Sequence, residues 1–107
     1  MKHLLVINLK KEEKLDDLLQ ALTEARMLDS VVLDGSGIRR ILGEDNPVFA
    51  DWIKGTLMLF DYNNTIIAPV EDKEQVAYLK EILLDYEFDF NDRNEGFFGL
   101  IPVVETF

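Results

Sequence analysis

Apolar and polar positions along this chain follow two rhythms, and the pair of rhythms occurs twice. Leu4 to Leu9 is a near-continuous apolar run of strand length, the pattern of a strand covered on both sides. Charged Lys10 to Lys14 then open a helix. Its Leu15, Leu18, Leu19, Leu22 and Ala25 keep the 3.6-residue period, while Asp16, Asp17, Gln20 and Glu24 fall on the opposite side. Asp29-Ser30 interrupts the period, and Val31-Val32-Leu33 reads as a second strand ending at Asp34-Gly35. The same order returns after the turn-forming Tyr62-Asn63-Asn64. Thr65 to Val70 is strand-like, with β-branched Thr65, Ile66 and Ile67. Glu71 and Asp72 suit a first helical turn through its dipole, and Val76, Leu79, Leu83 and Tyr86 supply the apolar stripe that follows. An acidic stretch from Glu87 to Glu95 leads to a last strand, Phe97 to Val104.

Two βαβ units in one short chain predict an α+β domain: a ferredoxin-like βαββαβ sandwich, with two helices on one face of an antiparallel sheet. At 107 residues the chain makes one domain, 1–107, with one core. The connector between the second and third strands, Ser36 to Asn64, is far longer than a hairpin requires. It also carries Val48, Phe49, Trp52, Ile53, Leu57, Met58, Leu59 and Phe60. Pro47 to Lys54 reads as a short helix that extends toward Phe60 if Gly55 permits. The alternative is a hairpin of Thr56 to Tyr62 with Thr65 to Val70.

The strands carry more apolar surface than two helices can cover. Successive strand residues point to opposite faces. Phe97 and Phe98, Leu100 and Ile101, and Val103 and Val104 therefore place apolar groups on both sides of the last strand. In the first strand Leu4 and Val6 lie on one side, with Leu5, Ile7 and Leu9 on the other. Leaving several such side chains wet costs several kcal/mol at about 25 cal/mol per Å². Either the connector folds over the second face or another copy of the chain does, and a closed symmetric ring of copies is the expected solution.

Charge narrows the function classes. With 21 acidic and 11 basic residues the formal charge is −10, which repels nucleic-acid backbones and anionic membranes. There is no cysteine, so thiol catalysis, thiolate metal sites and disulfides are excluded, in keeping with a cytoplasmic setting. Leu4 to Leu9 is too short for a signal sequence or a membrane span. The lone histidine, His3, cannot build a metal site of the usual ligands within one chain. Asp85, Glu87, Asp89, Asp92 and Glu95 are the densest carboxylates. Counted as a calcium loop from Asp85, however, the glycine position holds Phe90 and the closing glutamate position holds Gly96. No nucleophile or acid-base pair emerges from the spacing, so the chain reads as a non-enzyme.

The strongest ligand-site candidate is Asp34-Gly35-Ser36-Gly37-Ile38-Arg39-Arg40. Glycines after a strand let backbone amides approach a ligand, and two arginines offer forked donors to an anion. The competing reading is a turn with solvated arginines. Phe49 and Trp52 are candidate partner-binding residues, against the alternative that they simply pack the connector.

Taken with Ile41-Leu42, Pro47-Val48-Phe49-Ala50, Tyr62-Asn63-Asn64-Thr65-Ile66-Ile67 and Gly96-Phe97-Phe98-Gly99-Leu100-Ile101-Pro102-Val103, this stretch gives a chain that resembles a bacterial branch of the PII-like signalling superfamily along nearly its whole length. The resemblance implies a ferredoxin-like homotrimer that binds a small effector in clefts between subunits and addresses a protein partner through the 36–64 loop. It places Gly35 and Gly37 at the loop's base and Asn94 to Phe97 before the last strand. The family's phosphate-neutralising lysine has no counterpart in Asn94-Glu95-Gly96-Phe97, so the resemblance implies a nucleotide or other anion held by a different set. The implied ligand-binding residues are Gly35, Ser36, Gly37, Arg39, Arg40, Arg93 and Gly96, with no resident cofactor and no metal. The alternative function is a scaffolding module whose connector docks permanently on a neighbour without a small ligand.

Overall fold

The computed structural model describes residues 1–35, Ile38 and 62–107. They form strand β1 (His3–Leu9), helix α1 (Leu15–Glu24), β2 (Val31–Asp34), β3 (Asn64–Val70), α2 (Lys73–Asp85) and β4 (Gly96–Pro102). The fold is α+β. The four strands make one antiparallel sheet in the order β2-β3-β1-β4, compatible with the expected arrangement. The helical, hairpin and partner-binding expectations for the connector, including Phe49 and Trp52, lie outside the described residues. Among the described residues no helix is long and apolar enough to cross a membrane.

Register explains which side chains make the core. Leu5 faces Ala68 and Ile7 faces Ile66 across β1 and β3, and all four are buried. They join Leu9 and Val70 with Leu18, Ala21, Leu22 and Ala25 of α1 and Val76, Leu79, Ile82 and Leu83 of α2 in a single cluster. Both helices thus cover the same face of the sheet. Leu19, expected in the α1 stripe, is 37% exposed, because the buried arc is filled by its neighbours Leu18 and Leu22.

The ends of the helices carry the repeat further than the periodicity did. After α1, Arg26 adopts φ 60°, its N–H bonds to Thr23 O, and the N–H of Met27 reaches Leu22 O. After α2, Glu87 adopts φ 63°, its N–H bonds to Leu84 O, and the N–H of Phe88 reaches Leu83 O. Each is a Schellman closure, with a buried apolar pair, Met27 with Leu22 and Phe88 with Leu83, at the positions that such closures bring together. Neither uses glycine at the left-handed position. The start of α2 differs from expectation. Asp72 is the cap rather than a first-turn residue, accepting from the N–H of Glu74 at 3.0 Å. Glu71 lies outside the helix and pairs with the N-terminal amine at 2.8 Å. At α1, Lys11 is still extended and the helix is entered through a 3-10 turn at Glu12–Lys14.

Gly96 is required where β4 begins. Its φ is 134°, and a Cβ built there would lie 1.7 Å from the backbone oxygen of Asn8. Gly96→Ala is therefore expected to lower urea stability by at least about 2 kcal/mol. By contrast, Arg26→Gly and Glu87→Gly relieve a left-handed side-chain conformation and should each raise stability by about 0.5–1 kcal/mol in the same assay.

Candidate functional site

One end of the sheet gathers the polar groups. There Asp34, Asn64, Leu9 and Gly96 align in one row across the four strands, and Gly35 N–H donates to Asn63 O at 2.8 Å. The segment from 36 to 61 therefore leaves and rejoins the domain at hydrogen-bonded neighbours. Beside this base, Asn8 interrupts the otherwise apolar first strand. It is 7% exposed, and its Nδ2 donates to Asn63 Oδ1 at 2.6 Å and Thr65 Oγ1 at 3.4 Å. On the opposite face, Asn64 Nδ2 donates to the hydroxyl of Tyr62. Asn64 is buried, and its Oδ1 meets no donor among the described residues. Burial raises the Tyr62 pKa, and the charges of Glu12, Asp34 and Asp16 add to this against the opposing Asn64 bond. Tyr62 consequently keeps its proton at neutral pH and remains a hydrogen-bond donor rather than a base. The sequence signal for this network was Asn8, a lone amide within Leu4 to Leu9.

The expected ligand residues separate into three groups. Gly35 is exposed at the end of β2, where an added Cβ would make only ordinary contacts with Asn63. Arg93 is exposed in the loop before β4, and Gly96 is buried at its start. Ser36, Gly37, Arg39 and Arg40 lie outside the described residues. Gly35 and Gly96 belong to opposite edges of the sheet, three strand spacings or roughly 14 Å apart. A single copy does not bring them together.

Glu95 has a role that its sign alone did not reveal. It is 8% exposed and turned into the domain, where Lys14 Nζ lies at 2.5 Å and Lys11 Nζ at 3.5 Å. The N–H of Asp89 donates to its other oxygen at 2.8 Å. Lys14 also donates to Glu87 O at 2.8 Å and sits over the Phe88 ring. Glu95 thus ties the start of β4 to the entry of α1 and the exit of α2. The neighbouring carboxylates are committed locally: Asp89 Oδ1 accepts from the N–H of Asn91, and Asp92 Oδ1 from that of Asn94. Among the described residues, no three histidine, aspartate or glutamate side chains are gathered so as to hold a metal ion.

No protein-family model matches the chain, and comparison with curated proteins gives no match.

Burial alone raises the Glu95 pKa, but the bonds from Lys14 and Asp89 and the charges of Lys14 and Lys11 outweigh it, holding the carboxyl below its ordinary value of 4.5. The unfolded chain then binds that proton more readily than the folded one. The stabilisation is complete above the unfolded value and is lost as pH falls through the folded one. Glu95→Gln should cost about 2–3 kcal/mol at pH 7 by urea titration, and should flatten the acid limb of the stability profile relative to the parent chain.

Proposed function

We propose that this chain is a cytoplasmic PII-like regulatory protein on a ferredoxin-like βαββαβ domain. It assembles as a homotrimer, binds a small effector, a nucleotide or another anion, in clefts between subunits, and signals to a protein partner through the 36–64 loop. The observation that carries this reading is the closed base of that loop. Gly35 and Asn63 are joined by a backbone hydrogen bond, directly beside the network that the buried Asn8 makes with half-buried Asn63 and Thr65. A ligand that alters this base acts at once on both places where the long segment joins the domain.

The separation of Gly35 from Gly96 across the sheet favours a site shared by two copies over one within a single copy. The shared site draws its anion donors from Arg39 and Arg40 of one copy and Arg93 of its neighbour. Glu95 does not oppose an anion there, because Lys11 and Lys14 neutralise it. The role is binding and not catalysis. Tyr62 holds its proton, and the carboxylates near Arg93 are occupied by backbone amides and lysines.

The test is a thermal-shift panel of adenine and guanine nucleotides, cyclic nucleotides, phosphate and organic acids. At least one should stabilise the protein saturably, by about 2.7 kcal/mol at a hundredfold excess over its Kd. Replacing Arg39 and Arg40 together by alanine should abolish that shift without lowering the ligand-free midpoint. A flat panel, or a shift that survives the double replacement, overturns the reading.

A further inference from the structure

We draw no further inference here: the strongest candidate, the apolar patch of Val31, Val32 and Leu33 exposed on the edge strand β2, carries none, because nothing in the structure shows what covers it.

Discussion

Burial of one side of the sheet under α1 and α2 is the interaction on which the rest of the molecule depends. Leu5, Ile7, Leu9, Ile66 and Val70 meet the helix stripes there, each contributing about 1.5–3 kcal/mol by leaving water. Two helices are enough for one face and no more. Because strand residues alternate, every inward side chain is matched by an outward one, and here the outward ones are Leu4, Val6, Ile67, Pro69, Phe97 and Ile101. The edge strand β2 is less covered still, with Val31, Val32 and Leu33 all exposed. A packed core and an apolar second face, which the two helices do not cover, arise from the same sequence pattern.

The polar groups are distributed so as not to disturb that burial. The Asn8 amide is satisfied by Asn63 and Thr65, and the Glu95 carboxylate by Lys14, Lys11 and a backbone amide. Both sets sit at the end of the sheet where the chain enters α1, leaves α2 and anchors the 36–61 segment. A change in this corner is therefore felt at several element ends together.

Much of the fold was legible because it rests on period and parity. The strands and both helices follow from spacing alone, and the two apolar faces from the alternation of Leu4, Leu5, Val6 and Ile7. The helix exits were not legible, since Arg26 and Glu87 occupy left-handed positions where a glycine would have announced the closure. Gly96 and Gly99 look alike in the sequence. Only the fold separates the one pressed against Asn8 from the one whose Cβ would meet nothing within 4 Å among the described residues. The site was less legible than the fold. Glu95 reads as one more acidic loop residue until its lysines, more than eighty positions earlier, are seen beside it, and Gly35 and Gly96 reveal their separation only through strand order.

The face opposite the helices can be observed directly in methyl NMR spectra recorded with a soluble paramagnetic agent. If that face is built between copies, the methyls of Val6, Ile67 and Ile101 are shielded at high protein concentration nearly as well as those of Ile7 and Ile66, and they become accessible on dilution. Methyls of Val6, Ile67 and Ile101 that relax as fast as those of exposed Leu28 and Leu84 at every concentration contradict it.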